Sequence, residues 1–313
     1  MNALATSKQK TEQAGQSRSI GFFDRHWKRI VIGLALLWLT LFFLLPFLIV
    51  LKISFANPII ARPPYTPLIG EDGRLQATLE NFSFILSDGL YAYTYLNSLK
   101  LAAISTVLCL LVGYPMAYGI TRTQGSTRLI LLFFVVLPFW TSFLLRVYAW
   151  MGLLGNHGLI NGFLLRLGLI NAPIQMLYTD FAVYVGIVYS YLPFIILPLY
   201  ASIERLGDTL NEAAADLGAG PFRTFMDITL PMTAPGILAG SLLVFIPAMG
   251  EYVIPALLGG PDSLMIGRVL YDEFFFNRDW PVASAVAILL LLILIIPIVW
   301  FQYINGKHQE EGA

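Results

Sequence analysis

Apolar residues gather into six nearly uninterrupted blocks, at residues 30–51, 101–120, 129–151, 181–203, 236–258 and 282–304, each 20 to 23 residues long. A hydrocarbon core about 30 Å thick is crossed by a helix of about 20 apolar residues, so each block predicts one membrane-spanning helix. Hydrocarbon offers no water to the backbone, which favours helices, and a membrane barrel would instead read as short alternating segments. Four blocks carry no charged residue, whereas the third holds Arg146 and the fifth Glu251. Pro46, Pro115, Pro138, Pro193, Pro198, Pro247, Pro255 and Pro297 fall inside the blocks. Each removes a backbone donor and predicts a kink. The pattern is that of an all-α integral membrane protein with six transmembrane helices.

Composition agrees and narrows the choice. Of 313 residues 57% are hydrophobic and only 12% charged, about half the charged share of soluble domains. Mean hydropathy is +0.73. Nineteen basic and nineteen acidic residues cancel, leaving no field to recruit nucleic acid. The single cysteine, Cys109, excludes an intramolecular disulfide, and His26, His157 and His308 are too scattered for a metal-ligand pattern.

Basic residues orient the spans. Lys8, Lys10, Arg18, Arg25, Lys28 and Arg29 precede the first block, so the positive-inside rule places tail 1–29 in the cytoplasm. Six crossings return tail 305–313 to the same side. Segments 52–100, 152–180 and 259–281 are then external, and loops 121–128 and 204–235 internal. Internal segments hold eleven Lys/Arg and external ones six, with Lys100 and Arg146 making nineteen. The tail shows no small-residue cleavage site after a short apolar core, so the first block reads as a retained anchor. The first external segment is turn-rich and lid-like, and 158–170 reads as a short interfacial helix.

The internal loop 204–235 has the sharpest pattern. Glu212, Ala213 and Ala214 lie in an alanine-rich stretch with Asp208 and Thr209 available as caps, and the early Glu212 suits the helix dipole. Gly218 and the Gly220-Pro221 pair end that helix, and a second runs through Phe222, Phe225, Met226 and Ile228 to Pro231. Two short helices meeting at a glycine corner form a compact knob suited to a groove on a cytoplasmic partner.

This loop resembles the Glu-Ala-Ala (EAA) signature of permease subunits of binding-protein-dependent ABC importers. Glu212, Ala213, Ala214, Gly218, Ile228, Leu230 and Pro231 match its fixed positions. The runs 42–54, 137–150 (LPFWTSFLLRVYAW), 245–262 (FIPAMGEYVIPALLGGPD) and 277–287 (NRDWPVASAVA) are similar to permeases of polyamine importers, most of all putrescine permeases of the PotH type. The likeness covers nearly the whole chain from about residue 25. It implies a type I importer fold in the bacterial inner membrane. The partners implied are a second permease, an ATPase dimer that binds ATP and Mg, and a periplasmic substrate-binding protein. The matched loop residues would couple to the ATPase. The chain's own residues agree that it is no ATPase: Lys28, Lys52 and Lys100 lack the glycine and hydroxyl neighbours of a phosphate-cradling loop, and Lys307, though it follows Gly306, precedes His308 and not a Ser or Thr.

Intramembrane charge marks candidate chemistry. Glu251 lies about 10 Å deep, counting about 1.5 Å per residue, beside Gly250, Pro247 and Pro255, which predict a distorted helix. One reading gives its carboxylate to a polyamine ammonium, with Tyr252, Trp140 and Tyr191 holding the cation by their ring faces. The other pairs it with Arg146, at similar depth, as a structural tie between spans, unless Arg146 snorkels to the interface. Asp279 and the acids Asp262, Asp272 and Glu273 form an external cluster for a dication or for basic residues of the binding protein, or a solvated loop with Trp280 as anchor. Lys100 reads as snorkelling at a helix end, and Tyr91, Tyr93 and Tyr95 as an interfacial belt. An ion-driven secondary transporter is the rival class; it would show inverted repeats and charges in several spans, and a membrane enzyme would want clustered His, Asp or Glu.

Overall fold

The computed structural model describes residues 29–70, 73–74, 76–207 and 209–310, with the side chains of 301 and 304–310 excepted. The basic residues Lys8, Lys10, Arg18, Arg25 and Lys28, together with His26 and the predicted cap Asp208, lie outside the described residues. Among those described, regular structure is helical, with one isolated bridge between Pro58 and Tyr65. Four helices are long and apolar enough to span a membrane, or six when two bent pairs each count as one.

The first span, α1 (Arg29–Ser54), contains a π-helical turn over Thr40–Leu44 in which the Leu45 N–H bonds the Thr40 carbonyl. The widened turn sits just before Pro46, whose missing N–H breaks the ordinary ladder there. The most apolar part of α1 has no residue buried within the chain.

After the irregular stretch to residue 79 come α2 (Glu80–Ser87) and α3 (Gly89–Thr121). The second span therefore starts twelve residues before the predicted 101. Tyr91, Thr94, Asn97 and Ser98 in this early part are buried against protein, an environment that hydropathy does not register. Asn81, only 4% exposed, donates to the Ser54 and Ala56 carbonyls at 3.0 and 2.8 Å and fastens the end of α1 to α2.

The third block is not one rod. Helix α4 (Gly125–Val136) tightens to a 3₁₀ turn over Leu137–Trp140, which contains Pro138, and the chain becomes extended at Thr141. It resumes as α5 (Phe143–Leu154) and α6 (Leu159–Arg166), bent 93° from the first half. Helix α6 is the short helix expected near 158–170. Buried Asn161 holds it to the following loop, bonding Gly155 O, Ile174 O and Ile174 N–H.

The fourth span, α7 (Asp180–Leu206), is continuous through Pro193 and Pro198. Helices α8 (Thr209–Asp216) and α9 (Pro221–Met232) form the 204–235 loop. The fifth span is broken: α10 (Ala234–Met249) stops at Gly250 and α11 (Val253–Leu258) follows. Helix α12 (Ile266–Phe275) leads to α13 (Trp280–Glu310), which runs beyond the predicted end of the sixth span at 304.

Helices α3, α7 and α10 form the centre, with Leu101, Cys109, Ala117, Ile187, Ile195, Leu199, Val244 and Met249 fully enclosed. Lipid tails are as apolar as leucine, so close backbone approach must drive this packing. Gly236 and Gly240, four residues apart on α10, supply it. A Cβ at Gly236 would lie 2.4 Å from the Ser202 Cβ, and one at Gly240 would lie 3.2 Å from the Ile195 Cα on α7.

Candidate functional site

At the 204–235 corner, α8 ends in two backbone bonds of a Schellman turn: Gly218 N–H to Ala215 O and Ala219 N–H to Ala214 O, both 2.9 Å. Gly218 has φ +79°, a conformation that costs other residues about 1–2 kcal/mol. Pro221 then occupies the first turn of α9, where no N–H is needed. A second π-helical turn, Phe225–Thr229, ends with the Leu230 N–H bonded to Phe225 O, just before Pro231. The register repeats that of Pro46 in α1.

One side of the corner is held and the other is free. Ala214, Thr224 and Thr229 are buried, and the Thr229 hydroxyl donates to Asn211 Oδ1 at 3.4 Å, tying α9 to α8. Ile228 and Leu230 are half-buried. Glu212, Ala213 and Pro231 are exposed, as are the apolar side chains Leu217 (89%), Phe222 (76%) and Met226.

The corner is braced against the bundle by Phe225, through partners the sequence did not single out. Phe225 packs edge-on to Tyr114 and Tyr118 of α3, with ring centroids at 5.5 and 6.2 Å. The Tyr114 hydroxyl and Thr233 Oγ1 share a 2.9 Å hydrogen bond. Nearby, Arg128 donates to Thr121 O and Thr123 O at the end of α3 and pairs with Glu204 in the last turns of α7. Charged residues flanking the third and fourth apolar blocks were the available signal, but only the fold brings them together.

The break in the fifth span centres on Glu251, which is 7% exposed. Its Oε1 accepts the Val253 and Ile254 N–H groups at 3.0 and 3.3 Å, capping α11, and its Oε2 accepts the Tyr191 hydroxyl of α7. The carboxylate thus replaces backbone partners lost at the break and bridges α7 to α11. The expected ion pair with Arg146 is not formed. Arg146 lies over the faces of Phe139 and Phe143, its guanidinium carbon 5.9 and 5.7 Å from their centroids, and its Nε and Nη1 are buried with no hydrogen-bond partner. The 93° bend sets its course, which linear depth counting did not include.

Of the proposed aromatic partners, the fold brings Tyr191 to Glu251 and takes the others elsewhere. Tyr252 stacks on Tyr271 at 4.0 Å, and Trp140, 74% exposed, meets Phe133 edge-on. Asp279 caps α13 by accepting the Val282 N–H at 3.0 Å, and burial holds its carboxyl above the usual carboxylate range. The tyrosines expected as a belt instead tie α3 to later segments: Tyr91 donates to Glu273 of α12 at 2.8 Å, Tyr93 to Asp262 O at 3.1 Å and Tyr95 to Val286 O of α13 at 2.7 Å. Lys100 does not simply snorkel; it pairs with Asp180 at 3.5 Å, which also accepts the Ser263 hydroxyl. Among the described residues no His, Cys, Asp or Glu cluster could hold a metal.

Apolar spans broken twice, with a compact corner projecting from one end, define a membrane-embedded transport subunit. The chain belongs to the family of binding-protein-dependent transport system inner membrane components, which it matches over residues 19–308. It is a multi-pass inner-membrane permease. It is 41% identical to the spermidine/putrescine transport system permease protein PotB of Haemophilus influenzae, over 92% of this chain and 99% of that one. Identity is also 41% to PotB of Escherichia coli, over 88% and 98%. The crystal structure of a bacterial ABC transporter that imports alginate contains a similar fold, at TM-score 0.66 and 18% identity, covering 93% of this chain and 99% of that one. The resemblance shown by these relatives is to permeases named for spermidine and putrescine together.

Proposed function

We propose that this chain is one permease half of an ATP-driven polyamine importer, passing spermidine or putrescine delivered by a periplasmic binding protein. The observation that carries the reading is the braced corner. It exposes Leu217, Phe222 and Met226 outward and presses Phe225 against Tyr114 and Tyr118 inward. A push on the exposed side then reaches α3 through packed rings. In this reading a separate ATPase dimer binds ATP and Mg and docks at Glu212, Ala213, Ala214, Gly218, Ile228, Leu230 and Pro231. The corner and both termini face the cytoplasm, and a second permease completes the pathway.

Substrate passes the break in the fifth span. Glu251 exchanges the Tyr191 hydroxyl for a substrate ammonium as the helices rock, while its cap on α11 keeps the break in register. A ligand biases such states only through its differential affinity for them, and a carboxylate shared between two helices offers that difference. The identities to PotB support the polyamine class.

Reconstitution tests the whole reading. The complex with its ATPase, second permease and binding protein is placed in liposomes, and uptake of labelled putrescine and spermidine is followed. ATP-dependent accumulation of either that requires the binding protein is expected. Accumulation by the isolated chain, with no ATPase present, would overturn the proposal.

A further inference from the structure

We propose that the groove between residues 61–64 and the turn before α13 docks acidic side chains on the substrate-delivering binding protein. The inference rests on the importer reading above and supplies the chemistry of one partner contact. The groove encloses about 600 Å³, with Arg62 and Arg278 among its lining residues and Phe274, Phe275 and Trp280 as its aromatic wall. Among the described residues neither arginine has a hydrogen-bonded or ionic partner. The acids closest in sequence to Arg278 are engaged: Glu273 accepts from Tyr91 and Asn277, and Asp279 caps α13. Two guanidinium groups therefore line one concavity without a counter-charge among the described residues.

The groove is preformed. Phe274 and Trp280 stack at 4.9 Å and 7°, and Trp280 meets Tyr65 at 6.1 Å, joining the two walls. Arg278 sits in the left-handed region at φ +55°, fixed between the Asn277 N–H bond to Asp272 O and the Asp279 N–H bond to Glu273 O, both 2.9 Å. Around the groove Ile60, Phe275 and Phe276 are exposed. Arginines and aromatics set within an apolar rim are the composition of binding hot spots, where the rim excludes water from a charged pair. A cationic polyamine is repelled here, so the groove does not hold cargo. A bilayer surface does not fill a concavity between two loops, whereas a protruding acidic loop of a folded protein does.

The test uses the assembled importer in nanodiscs of neutral phosphatidylcholine, with substrate-loaded binding protein in solution. Affinity is measured against salt concentration for wild type, R62E, R278E, the double reversal, and R62K/R278K. Charge reversal at both positions is expected to weaken binding at least about tenfold and to flatten the salt dependence. The lysine pair should retain most of the affinity. Affinity within about twofold of wild type in an assembled double variant, the range of ordinary surface substitutions, overturns the proposal. So does an effect of the reversals that appears only in discs containing anionic phosphatidylglycerol, which assigns the groove to lipid phosphate. Should the double variant fail to assemble, the single reversals at these exposed positions decide by the same criteria. A wild-type complex that does not bind its binding protein at all removes the importer reading itself, and with it the groove.

Discussion

Glu251 makes three hydrogen bonds where the fifth span loses its own backbone pairing, two to N–H groups of α11 and one from Tyr191. Removing its side chain leaves those donors without an acceptor in a buried site. Glu251→Ala is expected to lower stability of the complex by about 1–2 kcal/mol, read as a lower melting temperature in detergent. Glu251→Gln keeps an acceptor for the cap and discards the charge, so it should assemble and melt normally while uptake falls sharply. Unchanged uptake kinetics in that variant would confine Glu251 to the helix cap. Asp279 gives a pH signature outside the membrane. Burial and the nearby Glu273 raise its pKa, opposed by the Val282 N–H. A raised folded-state value means that its contribution is full below the unfolded carboxylate value and declines as pH rises through the folded one. Asp279→Asn retains a capping oxygen and should flatten that decline when melting is followed across the mildly acidic range.

The same local device recurs at two elements. A widened π turn stands just before Pro46 in α1 and just before Pro231 in α9, each time closing a bond five residues back. In α9 the wide turn begins at Phe225, the residue that meets Tyr114 and Tyr118. The last two matched positions of the loop pattern, Leu230 and Pro231, thus have a conformational meaning beside any partner they serve. At the other end of the corner, Gly218 at φ +79° is the conformational pivot. Gly218→Ala should cost about 1–2 kcal/mol locally and leave some transport. Proline cannot adopt that φ, so Gly218→Pro should abolish uptake while ATP hydrolysis loses its response to loaded binding protein. Normal transport by an assembled Gly218→Pro complex would show that the corner does not couple.

On the scale of the whole molecule, a central set of α3, α7 and α10 is packed at small residues, while the most apolar part of α1 has no residue buried within the chain. The close approach of α10 to α7 depends on Gly236 and Gly240. Gly236→Val would force its Cβ into the Ser202 side chain and the Pro198 carbonyl oxygen, at 2.4 and 3.0 Å. Overpacking of this kind costs about 1–3 kcal/mol. The expected result is a lower yield of assembled, monodisperse complex on size-exclusion chromatography, with Gly236→Ala intermediate.

The sequence by itself determined the membrane class, the six apolar blocks and the two short helices around Gly218, because length, hydropathy, glycine and proline act locally. It also marked Glu251 and its neighbours Gly250 and Pro247 as a point of distortion. Tertiary structure decided what those features meet. The early start of α3 follows from burying Tyr91, Thr94, Asn97 and Ser98 in protein rather than lipid. The missing Glu251–Arg146 pair follows from the sharp bend in the third span. The Tyr191 bond to Glu251 and the Phe225 brace on Tyr114 join residues 60 and 111 positions apart in the chain. Local preference sets where a helix forms and ends; which side chains satisfy a buried charge or an open backbone depends on helices far apart in sequence arriving side by side.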